Sequence, residues 1–235
     1  MKVAVINFSG NVGKTTVSAH LLKPRMGEAP IFSVESLNVD AAGDGLDVER
    51  LRGKEFGDLQ GEMLRRDDAI VDVGASNIED FMKLMQKYHG SHEDFDYFVV
   101  PVVKEKKQQA DTVNTIRALK ALGVPAKKIR VLFNKVDVDD NVDHDFASIF
   151  GLAEIEKSFT LRPEAVIHQN EVYELLKVLK TGLSEVLADD TDYRAKLKES
   201  ADENERDRAV RMIAVKRLAV SATSNLDAAY KALFK

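Results

Sequence analysis

The sequence predicts an α/β protein built on a twisted parallel sheet with helices on both faces. Two observations support this prediction. Segments that are apolar at nearly every position alternate with segments of helical spacing, as expected for strands buried on both sides. Polar residues directly follow several of the apolar segments, and the carboxyl ends of parallel strands are where such sheets bind ligands.

β-Branched and aromatic residues identify the strands. The first predicted strand covers residues 2–8 and contains Val3, Val5 and Ile6. Further strands are predicted, in chain order, at residues 30–34, 69–73, 97–103, 129–133 and 165–167.

Helical spacing fills the intervals between these strands. The first helix is predicted from Lys14 through Leu22, where Pro24 stops it. Residues 35–45 are rich in Asn, Asp and Gly and are predicted to form a loop. Further helices are predicted at residues 47–66, 77–88, 106–122 and 171–187.

Length and composition fit one sizeable core and exclude several classes of protein. The chain has 235 residues, of which 44% are hydrophobic and 31% charged, with a formal net charge of -5. These values exclude disorder and argue against polyanion binding by the whole molecule. The chain has no cysteine, which excludes disulfides and thiolate metal sites. No signal peptide or membrane-spanning run of about 20 apolar residues is visible, so a cytoplasmic protein is expected.

A candidate phosphate-binding loop lies between the first strand and the first helix. In order, it comprises Ser9, Gly10, Asn11, Val12, Gly13, Lys14, Thr15 and Thr16. The glycines let the backbone approach a phosphate, and the loop amides and helix N-terminus attract an anion. We expect Lys14 to reach the β and γ phosphates and the Thr15 hydroxyl to bind Mg²⁺. The loop therefore predicts ATP or GTP as cofactor; the alternative is a glycine turn with solvated Lys and Thr side chains.

The segment Gly10–Thr16, Gly-Asn-Val-Gly-Lys-Thr-Thr, resembles the deviant phosphate loop of the ParA/MinD ATPases. The opening Val-Ala-Val-Ile-Asn fits the same family, and the narrower resemblance is to StbB-type plasmid-stability proteins. The resemblance covers about residues 1–185. It implies a P-loop NTPase fold and a molecular switch ATPase in plasmid or DNA stability, segregation or positioning. It also implies a protein partner or DNA-bound adaptor, and a homodimer.

The chain departs from the family pattern within the loop. Ser9 stands where the family has a signature lysine that reaches the partner's nucleotide, and Asn11 replaces the second loop glycine. Phe8 occupies the position of the first glycine of the ordinary motif. These departures leave nucleotide-dependent dimerisation open and make a non-hydrolysing scaffold an alternative function.

Asp72, at the end of a strand, is a candidate catalytic residue and Mg²⁺ ligand, acting through water. The Gly74 amide that follows could donate to a γ-phosphate, and the segment resembles the family's Asp-Thr-Pro-Pro switch. The resemblance thus implies that this segment belongs to the same nucleotide-binding site as the phosphate loop. A strand-end Asp that caps the next turn is the alternative.

Glu35 follows the second predicted strand, where ParA/MinD proteins carry Asp-x-Asp. It matches the first acid and is a candidate Mg²⁺ ligand. Leu37 replaces the second acid, which orients the attacking water, and Asn38 or Asp40 could substitute for it. We therefore take Asp40 as a candidate catalytic residue and expect slow or partner-dependent hydrolysis; a polar loop without chemistry is the alternative.

The segment Asn134-Lys135-Val136-Asp137 resembles the Asn-Lys-x-Asp element with which GTPases recognise guanine. Asp137 could accept two hydrogen bonds from that base. ParA/MinD proteins also carry an Asn at this strand end, which contacts adenine, so we expect Asn134 to contact the base and favour ATP over GTP. A GTPase of the same superclass and a P-loop kinase-like phosphotransferase remain alternatives.

The C-terminal segment has a different character. Charged residues and helical spacing continue from Thr191 without a strand, so we predict a nucleotide-binding domain at residues 1–190 and a helical extension at residues 191–235, packed on or projecting from it. A basic edge could bind DNA nonspecifically, a membrane surface or a partner, or it could be a solvated face. The basic residues are Arg206, Arg208, Arg211, Lys216 and Arg217.

Overall fold

The computed structural model describes residues 1–34, the strand backbone of 48–51, and residues 56–235. The strands are β1 (Lys2–Val5), β2 (Ile31–Val34), β3 (Val48–Leu51), β4 (Ala69–Val73), β5 (Tyr97–Val102), β6 (Ile129–Val136) and β7 (Val166–His168). They form one 7-stranded sheet in the order β3-β2-β4-β1-β5-β6-β7. Every pairing is parallel, which confirms the predicted fold class.

Helices cover both faces of this sheet. They are α1 (Lys14–Thr16), α2 (Phe56–Leu64), α3 (Ile78–Lys87), α4 (Lys106–Ala121), α5 (Val142–Asp145), α6 (Ala147–Glu156), α7 (Val172–Leu179), α8 (Leu183–Ala188), α9 (Tyr193–Glu199) and α10 (Glu203–Phe234). Helix α1 continues as a π-helical segment, Val17–Leu22, and a 3₁₀ turn, Lys23–Arg25. Pro24 stands at the start of that turn, where its missing amide is tolerated.

The alternation of side chains along β1 divides the core into two layers. Val3 and Val5 lie in a buried cluster with residues of the π-helical segment Val17–Leu22 and of α7, α8 and α10. Ala4 lies in the cluster of the opposite face, with residues of α2, α3, α4 and α6. All three side chains are completely buried. The first strand is therefore central to both layers, and this rigid position supports the loop that follows it.

The prediction of one helix over residues 47–66 is wrong. Val48–Leu51 form β3, which pairs with β2 in register from Ile31↔Val48 to Val34↔Leu51. The helix begins only at Phe56. The open edge of β2 offers backbone hydrogen bonds to a neighbouring segment, and such tertiary pairing overrides a weak local helical preference.

The predicted helix at 171–187 is divided into α7 and α8. Lys180, with φ 51°, takes the left-handed conformation that ends α7, and Gly182 then caps α8. The Glu185 carboxylate accepts a hydrogen bond from the Gly182 amide at 3.2 Å. A left-handed residue ends a helix because its carbonyl no longer continues the hydrogen-bond series.

Helix α10 packs on the same face as the π-helical segment Val17–Leu22. Ala209 is buried near its start, and from residue 215 the buried residues recur every three or four positions: Val215, Ala219, Ala222, Leu226, Ala229 and Leu233. An ion pair of 2.7 Å joins Arg25 to Asp227 of this helix, and the same guanidinium donates to the carbonyls of His20 and Leu21. The division of the chain after residue 190 stays a prediction. Among the described residues, no helix has the length and apolar character to cross a bilayer.

Candidate nucleotide-binding site

The sheet order creates a crevice at the carboxyl end of β1. The strand lies between β4 and β5, so the connections on its two sides run in opposite directions. A cleft of about 530 Å³ opens at this point, a size within the range of small-molecule sites. Its walls come from the phosphate loop, from the segment after β4, from the end of β6 and from the segment after β7.

Asn7 fixes the point where the chain leaves β1. Its side chain is completely buried, and its amide donates to the Pro101 carbonyl at 2.8 Å and to Thr112 Oγ1 at 2.7 Å. Its Oδ1 accepts from the Ser9 amide at 2.8 Å. Asn7 was not among the predicted site residues, although a polar residue directly after an apolar strand is a recognisable signal. It anchors the phosphate loop to β5 and α4.

The phosphate loop turns through two left-handed residues, Asn11 with φ 59° and Gly13 with φ 85°. A Cβ added at Gly13 would lie 2.3 Å from Asn134 Nδ2, so this position requires glycine for both conformation and space. At Gly10 an added Cβ would meet no atom within 4 Å. Gly10, Asn11 and Gly13 line the cleft, whereas the Ser9 and Val12 side chains are buried.

Lys14 lines the cleft but directs its ammonium onto the backbone of its own loop. The side chain is 8% exposed, and Nζ donates to the Ser9 carbonyl at 2.8 Å and to the Asn7 carbonyl at 3.2 Å. The curled loop thus encloses a positive charge. An ammonium binds a phosphate more strongly than it binds these two carbonyl groups. The Lys14 ammonium is therefore suited to pair with an anion that enters the cleft.

Thr15 and Asp72 line the same cleft and form a candidate Mg²⁺ site. Asp72 is 5% exposed at the end of β4, and Thr15 is exposed at the start of α1. Hydroxyl and carboxylate oxygens are ligands that Mg²⁺ prefers, and the ion completes its octahedron with water and substrate phosphates. The two side chains therefore fit a magnesium ion that accompanies a phosphate ligand. Thr16, half-buried, is a further lining residue.

The Gly74 amide is engaged within the protein, contrary to the expectation that it is offered to a γ-phosphate. It donates to the Val34 carbonyl at 2.9 Å, because the chain after β4 continues beside β2. Gly74 and Ala75 still line the cleft. Glu35 and Asp40, the other two acidic candidates, lie outside the described residues.

Asn134 and Lys135 lie against the phosphate loop. Asn134 is 3% exposed and its Nδ2 donates to the Val12 carbonyl at 2.8 Å. Lys135 Nζ donates to the Asn11 carbonyl at 3.0 Å. Both residues line the cleft. One N–H of the amide group that we expected to meet a base is therefore bound to the loop backbone.

Asp137 is not among the lining residues of the cleft. Lys104 donates to its carboxylate at 2.9 Å and to Asp140 at 3.1 Å. The hydrogen bonds to Asp137 and then to Asp140 raise the pKa of Lys104 above its ordinary value. A hydrogen bond from the Asp137 amide, and secondarily Lys104, lowers the pKa of Asp140. Asp137 and Asp140 thus form an acidic cluster around Lys104.

A further wall of the cleft was missed by sequence reasoning. It consists of the end of β7, the segment that follows and α7, through His168, Gln169, Asn170, Glu171, Tyr173, Glu174 and Lys177. Burial raises the pKa of Tyr173 to about 12, and its ring lies 5.6 Å from that of His20 on the helix after the phosphate loop. No single motif identifies this wall, although residues that follow the last strand of a parallel sheet belong to the same edge as the loop.

Two of the five basic residues predicted to form the basic edge hold neighbouring backbone. Arg206 donates to the carbonyls of Leu197 and Ser200, and Lys216 donates to those of Asp189 and Thr191. Arg208 borders a second cleft between α9 and α10. Arg211 and Arg217 are exposed.

No protein-family model matches this chain, and no curated protein matches its sequence. Solved structures do match. The MinD cell division protein of Aquifex aeolicus aligns with a TM-score of 0.54 and 15% identity over 91% of this chain and 96% of that chain. The cell division ATPase MinD of Pyrococcus furiosus gives a TM-score of 0.52 and 12% identity over 92% of this chain and 98% of that chain. A MinC:MinD complex from Aquifex aeolicus aligns with a TM-score of 0.53 and 14% identity over 91% of this chain and 95% of that chain. The chain therefore has the MinD-type fold.

Proposed function

We propose, from the MinD-type fold and the cleft described above, that the protein is a nucleotide-dependent molecular switch that binds ATP with Mg²⁺. The observation that carries the proposal is that one cleft joins the phosphate loop, Thr15 and Asp72 at the carboxyl ends of adjacent strands. We further propose that it hydrolyses ATP slowly, or only with a partner.

Each residue has a defined role in this proposal. The amides of residues 9–16 and the ammonium of Lys14 bind the phosphates. Thr15 and Asp72 hold the Mg²⁺, which neutralises charge on the phosphoryl oxygens when bound. Glu35 as a further ligand and Asp40 as the residue that orients water complete the proposed set.

The environment of Asp137 favours ATP over GTP. A guanine reader must offer a carboxylate to the base, and this carboxylate is bound to Lys104 and lies outside the cleft lining. Competition of labelled ATP with unlabelled GTP tests this point. We expect GTP to compete at least tenfold more weakly, and equal competition would support the GTPase alternative.

The biological role in the proposal is plasmid or DNA stability, segregation or positioning, with StbB-type proteins as the narrower hypothesis. Nucleotide binding would set the segments after β2 and β4, and those segments would present a surface to a protein partner or a DNA-bound adaptor. A structural neighbour that is a MinC:MinD complex supports a protein partner for this fold.

A nonspecific DNA contact through α10 would depend on few side chains. Arg206 and Lys216 are engaged with backbone, which leaves Arg208, Arg211 and Arg217 as the exposed cations of the basic edge for phosphate contact. The triple substitution of Arg208, Arg211 and Arg217 by Gln should reduce the salt dependence of any DNA binding. Unchanged DNA binding by the triple variant would exclude this edge of α10 as the contact.

The decisive experiment measures binding and hydrolysis of MgATP by the wild type and by Lys14→Ala, with and without DNA. We expect Lys14→Ala to abolish tight triphosphate binding while thermal unfolding remains cooperative. Lys107→Ala, which removes an exposed lysine at the start of α4, is the matched control and should bind as the wild type does. Wild-type protein that binds neither ATP nor GTP with Mg²⁺ would refute the proposal.

A non-hydrolysing scaffold is the second candidate, because Ser9 occupies the position of the family's signature lysine and is only 6% exposed. The same assay separates the two functions. Tight ATP binding with no phosphate release, even after addition of DNA and cell extract, would favour the scaffold. A phosphorylated product in a substrate screen would instead favour a kinase-like enzyme.

A further inference from the structure

Two consecutive residues at the end of β6 hold two consecutive carbonyls of the phosphate loop. Asn134 Nδ2 donates to the Val12 carbonyl at 2.8 Å, and Lys135 Nζ donates to the Asn11 carbonyl at 3.0 Å. The Asn134 side chain is 3% exposed, so water competes little for its amide.

Holding these carbonyls also fixes the amides of the loop. In a planar trans peptide the C=O and the N–H of the next residue point in opposite directions. The bond to the Val12 carbonyl therefore sets the direction of the Gly13 amide, and the bond to the Asn11 carbonyl sets that of the Val12 amide. A loop with fixed amides loses less conformational entropy when it binds an anion.

The end of β6 also lies close to the phosphate loop, which supports a positioning role for Asn134 and Lys135. A Cβ at Gly13 would lie 2.3 Å from Asn134 Nδ2, so the amide group occupies the space that a side chain would need. Lys135 itself adopts φ 55°, a conformation that non-glycine residues rarely take. This geometry at the strand end directs both side chains to the loop.

We propose that Asn134 and Lys135 are positioning residues that hold the phosphate loop in its binding shape, and that Asn134 acts on the phosphates of the ligand rather than on its base. This inference rests on the proposed nucleotide-binding function. It assigns to Asn134 a role different from the base contact predicted from the sequence.

The test compares a ligand that has a base with one that has none. Calorimetry would measure the affinities of MgATP and of magnesium tripolyphosphate for the wild type and for Asn134→Ala. We expect Asn134→Ala to weaken both by the same factor, about tenfold, which corresponds to the loss of one buried hydrogen bond. Gln86→Ala, which removes an exposed side chain of α3 outside the cleft lining, should leave the tripolyphosphate affinity unchanged.

Two other results would contradict the proposed role of Asn134. If Asn134→Ala binds ATP more weakly but binds tripolyphosphate as the wild type does, Asn134 contacts the base. If the variant binds both ligands as the wild type does, Asn134 has no role in binding either of them. Wild-type protein that binds neither ligand would refute the proposed function itself, a separate outcome.

A ligand-free measurement keeps the inference testable if Asn134→Ala does not fold. Lys135→Met removes only an exposed ammonium, and it should speed amide hydrogen exchange at residues 11–13 severalfold while the amides of β6 keep their protection. Lys135→Arg retains a donor and should restore slow exchange. Wild-type exchange rates in Lys135→Met would contradict a positioning role for Lys135.

Discussion

The ammonium of Lys14 donates to the carbonyl oxygen of Ser9 at 2.8 Å across the phosphate loop. Lys14→Met keeps the apolar stem but leaves this carbonyl without the ammonium donor. We expect the free energy of unfolding of the ligand-free protein to fall by about 1 kcal/mol, because release of a buried charge offsets part of the lost hydrogen bonding. Urea unfolding measures this change. A variant more stable than the wild type would mean that desolvation of the ammonium dominates.

The two glycines of the loop should respond differently to a methyl group. Gly13→Ala places a Cβ 2.3 Å from Asn134 Nδ2 at φ 85°, so we expect a loss of about 1–3 kcal/mol in the free energy of unfolding. Gly10→Ala meets no atom within 4 Å and should change that free energy by less than about 0.5 kcal/mol. Equal losses in the two variants, measured by urea unfolding, would contradict the described packing.

Asn7 and Thr112 should be energetically coupled. The Asn7 amide donates to Thr112 Oγ1 at 2.7 Å, and both side chains are completely buried. Asn7→Ala should lower the free energy of unfolding by about 2–3 kcal/mol and Thr112→Val by less. In the double variant we expect a coupling energy of about 0.5–1.5 kcal/mol. Strict additivity in this double-mutant cycle would show that the hydrogen bond contributes nothing.

The acidic cluster around Lys104 should make stability depend on pH at both extremes. The lowered pKa of Asp140 means that its contribution is complete above the ordinary value of 3.8 and is lost as pH falls through the lower folded value. The raised pKa of Lys104 means that its contribution is complete below 10.5 and is lost as pH rises through the higher folded value.

Asp140→Asn tests the acid limb of this dependence. The difference in unfolding midpoint between wild type and variant should be largest near pH 7 and should shrink as the pH falls from 4 toward 2. Asp139→Asn, which changes an exposed neighbour, is the control. A difference that stays constant down to pH 2 would contradict the lowered pKa.

Burial of whole strands made the sheet predictable from the sequence. Apolar runs such as Tyr97–Val102 stand out because both faces of a central parallel strand are covered. Strand β3 could not be recognised in the same way, since Val48–Leu51 has two adjacent charged residues between its apolar ends and pairs with β2 in the fold. Helices α5 and α6, between β6 and β7, were not predicted either.

The part of the candidate site that lies in one local sequence motif could be predicted. The part that is brought together by the fold from distant segments could not. The phosphate loop was visible because strand, turn and helix adjoin in sequence. The cleft wall from His168 to Lys177 reaches the loop only through the order of strands in the sheet. The bond from Asn134 to the Val12 carbonyl spans the same sheet edge, so no spacing rule could reveal which partner the amide would take.

The contact between Gly13 and Asn134 also bears on how this chain can vary. A side chain at position 13 would need both a different backbone turn and a shorter residue at position 134, so replacement of Gly13 requires a change at position 134 as well. The two sites should therefore change together across related sequences. Asparagine at the second should predict glycine at the first, although more than a hundred residues separate them.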